Sequence, residues 1–156
     1  MSVLAPISTI FRLGLISLLL LLATECFTRL FVTYPSVARF DSVLEWSYVP
    51  HAQVFDASEG GARLRLNSFG LNEEELPTEK TEQRVLVLGD SFAMARQVER
   101  SQNFVSLSSK NSPCLQFVNA GRDAIQPFQM MELRDRLKKP LQIDSLLLVL
   151  NSNDIF

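Results

Sequence analysis

Three short apolar runs constrain the fold of this chain more than any other feature. They are residues 85–88 (VLVL), 114–119 (CLQFVN) and 145–150 (SLLLVL). Near-continuous apolar runs of this length are typical of strands that are buried on both faces of a parallel sheet. We therefore expect three parallel strands at the centre of the molecule.

The segments between these runs have helical spacing. One contains Phe104 and Leu107, and a clearer one covers residues 126–139 (QPFQMMELRDRLKK), where Pro127 suits the first turn and Pro140 stops the helix. The apolar residues expected on the buried face of the second helix are Phe128, Met131, Leu133 and Leu137. Alternation of strands and helices predicts an α/β fold with a doubly wound parallel sheet.

The N-terminal 33 residues predict a membrane anchor. Residues 13–24 (LGLISLLLLLAT) carry no charge, Arg12 precedes them, and Glu25 follows. Glu25 stands where a signal-peptide cleavage site or a lipidation site at Cys26 needs a small residue, so an uncleaved signal-anchor fits better. With Arg12 at the cytoplasmic face, the rest of the chain is expected outside the cytoplasm.

The remainder divides into a predicted linker and a domain. Residues 34–61 contain Pro35 and Pro50 and predict a linker or lead-in to the domain at 62–156. Within that domain, residues 62–72 (ARLRLNSFGLN) indicate a strand followed by a turn. Residues 72–83 (NEEELPTEKTEQ) predict a charged, solvated loop.

Charge and cysteine content exclude several functions. Seventeen acidic and fifteen basic residues give a net charge of −2 without a basic stripe, which argues against a nucleic-acid partner. Cys26 and Cys114 are too few for a disulfide framework, and the absence of a Cys/His cluster argues against a zinc site. We expect no metal and no cofactor.

Polar residues follow each apolar run, at the ends where parallel α/β sheets collect their functional groups. The three groups are Gly89-Asp90-Ser91, Asn119-Ala120-Gly121 and Asn151-Ser152-Asn153-Asp154. Each alone is more often a helix cap or a turn than a reactive site. Three together, each at the carboxyl end of its strand, predict a functional site.

These three groups resemble the blocks of the SGNH, or GDSL-type, ester hydrolases, and particularly their membrane-anchored bacterial branch. "GDSF" at residues 89–92 resembles the first block, "NAG" at 119–121 the second, and "NSND" at 151–154 the third; "NSFGL" at 67–71 is similar to the segment before the first block. The resemblance implies a three-layer αβα, flavodoxin-like fold. It also implies hydrolysis of acyl esters, commonly acetyl groups on carbohydrates or lipid acyl chains.

The resemblance implies a role for each residue of the blocks. Ser91 would be the nucleophile, and the backbone N–H groups of Gly121 and Ser91 would form an oxyanion hole with the side-chain amide of Asn153. Asp90 and Asp154 would support the site structurally. Asn151 departs from the family, which frequently has glycine there.

The general base of this family, a histidine preceded by an aspartate near the C-terminus, has no counterpart in the sequence. The only histidine is His51, upstream of the first core strand. Three strands also supply only positions 2, 1 and 3 of a 2-1-3-4-5 sheet, which would leave the run at 145–150 as an uncovered apolar edge. We therefore expect the front part of a longer hydrolase, with little or no catalysis by these residues alone.

Two functions of different classes stay open. The first is a single-pass protein of the bacterial inner membrane, with a periplasmic esterase or deacetylase domain that acts on acyl esters, such as those of envelope carbohydrate. The second is a non-catalytic, membrane-anchored envelope protein that binds an acylated glycan or a protein partner. A nucleotide-binding domain is excluded because "GDSFAMA" lacks the glycine-rich fingerprint and a P-loop lysine.

Overall fold

A computed structural model describes residues 7–31, 37–57 and 60–151 of the chain. It divides into two compact units, Met1–Tyr34 and Pro35–Phe156. The first unit contains helix α1 (Ile7–Phe31). The elements of the second unit, in chain order, are β1 (Ala38–Asp41), β2 (Glu45–Tyr48), β3 (Gln53–Asp56), β4 (Ala62–Arg65), β5 (Gln83–Gly89), α2 (Ser91–Met94), a 3-10 turn (Arg100–Gln102), α3 (Phe104–Lys110), β6 (Leu115–Asn119), α4 (Pro127–Lys138) and β7 (Ser145–Val149).

Helix α1 is long and apolar enough to cross a membrane. Its 25 residues extend over about 37 Å at the usual helical rise. The segment Thr9–Leu30 has a mean hydropathy of 2.0. Near the C-terminal end of the helix, Arg29 pairs with Glu25 one turn earlier, at 2.7 Å. The helix therefore extends beyond the uncharged run 13–24 at both ends.

The sheet of the second unit contains the three predicted apolar runs. β5 lies in the centre and pairs in parallel with β6 on one side and β7 on the other. Val85 on β5 lies opposite Phe117 on β6 and Ser145 on β7. The prediction of an α/β fold with parallel core strands is confirmed, and the first run of the sequence occupies the middle of the sheet.

The hydrophobic core forms where α4 packs on this sheet. Leu86 and Leu88 of β5 are fully buried, and the face of α4 that packs in the same core includes the predicted Leu133 and Leu137. The buried apolar residues of α4 are Met130, Leu133 and Leu137, at spacings of three and four. Phe128, expected on this face, is 66% exposed. The prediction was wrong there because both Phe128 and Met130 are apolar, and only packing selects between them.

Helix α3 also has apolar side chains on its exposed side. Asn103 caps it by accepting a hydrogen bond from the Ser106 N–H at 2.8 Å. Val105 is its buried residue, whereas Phe104 and Leu107, which marked the helix in the sequence, are about two-fifths exposed (42% and 41%). The predicted helix is therefore present, and the two apolar residues that marked it in the sequence lie on its exposed side.

Part of the predicted linker forms β-hairpins. β1 pairs with β2, and β3 pairs with β4, both in antiparallel fashion. Asp41 closes the first hairpin, since its Oδ1 accepts the N–H groups of Val43 and Leu44. The strands have only four residues each, and the first hairpin is stabilised by the burial of Leu44 and Tyr48. The strand and turn expected at 62–72 correspond to β4 and the loop after it.

Among the described strands, β7 lies at one edge of the sheet. Its leucines Leu146, Leu147 and Leu148 are 42%, 41% and 46% exposed. Burial on both faces therefore applies to β5 and not to β7. An uncovered apolar edge is what the sequence predicted for this run, and such an edge is available for pairing with another strand.

Candidate functional site

Ser91 begins a single helical turn at the end of the central strand. β5 ends at Gly89, and Asp90 caps α2 by accepting the Phe92 N–H on its Oδ1 at 2.9 Å. Ala95 follows in the left-handed conformation, with φ of 48°, and closes the turn. The strand, cap and turn together hold Ser91 at the carboxyl edge of the sheet.

Two glycines allow the chain to pass unusually close to this turn. A Cβ on Gly89 would lie 2.8 Å from the carbonyl oxygen of Val149 and 2.7 Å from the Ala93 Cβ. A Cβ on Gly121 would lie 2.5 Å from the Ala93 carbonyl carbon and in still closer contact with the Met94 nitrogen. Any side chain at 121 would therefore displace the backbone of the Ser91 turn.

Asn119 joins the end of β6 to the same turn. Its side-chain Nδ2 donates to the Ala93 carbonyl at 2.9 Å, and its Oδ1 accepts the Gly121 N–H at 3.0 Å. The Arg122 N–H donates to the Gly89 carbonyl at 2.9 Å, which continues the contact of β6 with β5 past the strand ends. The second block thus lies directly against the first, and the Gly121 N–H already has a partner.

The third block reaches the site through Asn151. Its side-chain Nδ2 donates to Asp90 Oδ1 at 3.1 Å. Asn153 and Asp154 lie outside the described residues. The structure therefore brings together Ser91, Gly121 and Asn151, one from each predicted block.

The segment before β5 contributes two residues that the sequence analysis missed. Asn72 Nδ2 donates to the Met94 carbonyl at 3.1 Å, and Glu73 Oε2 accepts the Asn119 N–H at 3.2 Å. Residues 72–83 were predicted to be a solvated loop, yet Asn72 is only 2% exposed. The prediction was wrong at its N-terminal end, because these two polar side chains satisfy backbone groups of the site. The run "NSFGL" immediately before them is the signal in the sequence that could have identified them.

The environment of Glu73 affects its protonation. Burial raises the pKa of its carboxyl group, and the N–H groups of Asn119 and Glu74 partly oppose this effect by stabilising the charged form. A charged carboxylate at this position therefore has a cost in stability that a neutral side chain would not have.

A shallow pocket lies beside Ser91. Its volume is about 380 Å³, and its walls are formed by Ser91, Phe92, Ala95, Gln97 and Val98. Phe92 is 67% exposed at its rim. Within residues 7–31, 37–57 and 60–151, no side chain forms a hydrogen bond with Ser91 Oγ.

His51 lies elsewhere and has its own partners. Its Nδ1 is 3.5 Å from Glu75 Oε1, and its backbone N–H donates to the Asn67 carbonyl. Both side chains of this pair are more than half exposed (69% and 58%). The structure therefore places the only histidine of the sequence on the surface, in contact with Glu75 and not with Ser91.

No protein-family model matches this chain, and no curated protein matches it. The chemistry of the site therefore depends on its own residues and on the three short blocks that they belong to. Its central geometric feature is the packing of Gly121 against the turn that carries Ser91.

Replacing Gly121 by alanine should disrupt the contact of Gly121 with Ala93 and Met94, which we call the junction. The added Cβ meets backbone atoms that cannot rotate away, so we expect Gly121→Ala to lower the free energy of unfolding by roughly 3 kcal/mol, the upper end for an overpacked site. Urea unfolding of the full chain in detergent, followed by circular dichroism, measures this loss. Gly14→Ala is the control, since in the described ranges nothing beyond its chain neighbours and its own helix backbone lies within 4 Å of its Cβ position. An unchanged Gly121→Ala variant would contradict the close packing.

Replacing Glu73 by glutamine should change stability in a pH-dependent manner. Because the folded-state pKa of Glu73 is raised, its contribution to stability is complete at low pH and is lost as the pH rises through the folded pKa. Glu73→Gln should therefore gain stability relative to the wild type between pH 4 and pH 7.

The free energy of unfolding of both proteins at the two pH values tests this expectation. Glu79→Gln, in the same segment but exposed, is the control and should change stability by less than about 0.5 kcal/mol at either pH. A difference between Glu73→Gln and wild type that is identical at pH 4 and pH 7 would contradict the burial of a charged Glu73.

Proposed function

We propose that the chain is a membrane-anchored serine ester hydrolase of the SGNH type, with Ser91 as nucleophile. The observation that carries this proposal is the packing of Gly121 against the Ser91 turn, reinforced by Asn119 at Ala93 and by Asn151 at Asp90. Three motifs that are separated in the sequence thus supply groups to one sheet edge. Short motifs that occurred by chance would have no reason to lie together in the fold.

The proposed reaction is acyl transfer. Ser91 Oγ loses its proton to a base and attacks the carbonyl carbon of an ester, and the negative charge that develops on the carbonyl oxygen is stabilised by fixed N–H donors. The ester C–O bond then breaks, the alcohol leaves with the proton, and water hydrolyses the acyl-serine to release the acid and restore Ser91. The donors we propose are the backbone N–H groups of Ser91 and Gly121 and the side-chain amide of Asn153. Because the Gly121 N–H donates to Asn119 Oδ1 in the structure, the oxyanion must share this N–H with Asn119 or replace it.

The compartment and the fold are part of the same proposal. Helix α1 would span the bacterial inner membrane and place the hydrolase domain in the periplasm, where acyl esters of envelope carbohydrate are available substrates. The strand order β6-β5-β7 agrees with positions 2, 1 and 3 of a flavodoxin-like sheet, whose ligand sites lie beyond the carboxyl ends of the strands.

A serine needs an adjacent base to act as a nucleophile at neutral pH. His51 does not serve here, since it pairs with Glu75 on the surface. We therefore propose that the base is supplied from outside these 156 residues, by a further segment of polypeptide that docks beside the Ser91 pocket.

A second function is favoured by one observation. The Gly121 N–H already donates to Asn119 Oδ1, so it has a hydrogen-bond acceptor without a substrate. In addition, no described side chain activates Ser91. This suits a non-catalytic, membrane-anchored envelope protein that binds an acylated glycan or a protein partner in the pocket at Ser91.

Hydrolysis of p-nitrophenyl acetate distinguishes the two functions. We would assay the full chain in detergent and a form extended by the polypeptide that the downstream reading frame encodes. We expect Ser91-dependent hydrolysis in the extended form, and about 10²–10³-fold slower turnover in its Asn153→Ala variant through loss of one oxyanion donor.

Ser91→Ala should reduce hydrolysis to background, whereas Ser101→Ala, an exposed serine on the 3-10 turn, should leave it unchanged. Ser91-dependent turnover by the shorter chain would contradict the proposed origin of the base. Folded proteins that are both inactive would contradict the hydrolase function and favour the binding protein.

A further inference from the structure

A second pocket lies between the β1–β2 hairpin and α4, and its lining is rich in arginine. Its volume is about 170 Å³. Arg39 on β1, Arg122 after β6 and Arg136 on α4 contribute to its walls, and Asp41 is the one carboxylate among the lining residues that the structure describes. Nothing in the proposed hydrolysis uses this pocket, so its chemistry is a separate question.

Arg122 is the unusual member of this group, because its cation is buried. The residue is only 6% exposed. Its guanidinium carbon lies 4.6 Å from the centre of the Trp46 ring and 5.8 Å from that of Tyr48, and it donates a hydrogen bond to the Trp46 carbonyl. Burial lowers its pKa. In the part of the chain that the structure describes, no carboxylate lies within ion-pair distance of Arg122.

The nearby carboxylates are already engaged by other groups. Asp41 pairs with Arg136 at 2.6 Å, which holds the pKa of Asp41 far below its usual range together with the N–H groups of the hairpin turn. Asp123 pairs with Arg96 at 2.7 Å and accepts the Tyr48 hydroxyl at 3.2 Å. Neither of them forms an ion pair with Arg122, although the charge of Asp41 favours the charged form of Arg122 through space.

Arg39 gives the pocket a second cation, and none of the carboxylates in the described ranges lies within ion-pair distance of it. Its Nε donates to the Ser47 hydroxyl at 3.3 Å, a neutral acceptor on the facing strand of the hairpin. The remaining N–H groups of a guanidinium form a fixed, planar set of donors that matches the two oxygens of a carboxylate or phosphate.

We propose that this pocket is a binding site for an oxyanion group, a carboxylate or a phosphate, held between Arg122 and Arg39. A buried cation is costly unless an anion with good geometry accompanies it. The cation–π contacts with Trp46 and Tyr48 stabilise Arg122 in place but do not cancel its charge. An anion of small volume would supply an ion-pair partner for Arg122 and further acceptors for the two guanidinium groups.

Trp46 provides an intrinsic probe for this site, because it is the only tryptophan of the chain. We would titrate the full chain in non-ionic detergent with sodium phosphate and, separately, with sodium acetate, against sodium chloride at constant ionic strength. We expect a saturable change in tryptophan fluorescence with at least one of the two oxyanions at millimolar concentrations. Isothermal titration calorimetry on the same samples detects binding that leaves the fluorescence unchanged.

Two variants connect the binding to the pocket. Arg39→Gln removes an exposed cation and should leave the fold intact, while weakening oxyanion binding by at least about tenfold through loss of a charge-assisted contact. Arg122→Lys, which keeps the charge but loses the planar donor set, should weaken binding to a similar extent. Arg134→Gln, on α4 outside the pocket lining, is the matched control and should bind as the wild type does.

The outcomes separate the sources of the anion. Binding of phosphate alone indicates a phosphorylated ligand, and binding of acetate alone indicates a carboxylate such as that of an acidic sugar. The proposal is overturned if neither oxyanion binds, or if Arg39→Gln and a folded Arg122→Lys both bind as tightly as the wild type. None of these results depends on whether Ser91 is catalytic.

Discussion

Close contact between Gly121 and the backbone of the Ser91 turn is the constraint on which the rest of the strand-end region depends. With no side chain at 121, the chain leaving β6 passes against Ala93 and Met94 at distances that a Cβ would not permit. That contact lets Asn119 reach the Ala93 carbonyl and lets the Arg122 N–H bond to Gly89. Both hydrogen bonds depend on the absence of a Cβ at 121. Each needs the chain after β6 to lie within hydrogen-bond distance of a carbonyl of the 89–94 segment.

The segments before β5 stabilise this junction from the other side. Asn72 binds the carbonyl at the end of α2, and Glu73 binds the N–H at the end of β6. The hairpin of β1 and β2 is attached to the same domain through Asp41 at Arg136 and Tyr48 at Asp123. A region whose sequence predicts a linker therefore contributes to the walls of the arginine-lined pocket, whose residue Arg122 directly follows Gly121.

Much of the core was predictable from the sequence because its signals are local. The apolar runs and the proline-bounded segment at 126–139 specify β5, β6, β7 and α4 through hydrophobic pattern and backbone sterics alone. What was not predictable depends on contacts between distant residues. Arg84 illustrates this: it carries a charge and flanks the run VLVL, yet it is 2% exposed and donates to the carbonyls of Pro77 and Leu141. The choice of Met130 over Phe128, and the burial of Asn72 and Arg122, have the same origin. For the candidate site, the short motifs in the sequence predicted that Ser91 and Gly121 belong together, whereas the connecting role of the Asn119 side chain is visible only in the folded chain.

Covalent labelling can show whether the contact between Gly121 and the Ser91 turn holds a reactive serine at the sheet edge. The chain, alone and in the extended form proposed for the hydrolysis assay, would be exposed to a fluorophosphonate, whose serine adduct resembles the tetrahedral intermediate of ester hydrolysis, and then mapped by peptide mass spectrometry. This placement of Ser91 predicts a single adduct, on Ser91, that appears with the extended form and is absent from its Gly121→Ala variant. Adducts on other serines with none on Ser91, or an unlabelled Ser91 in a form that hydrolyses esters, would contradict it.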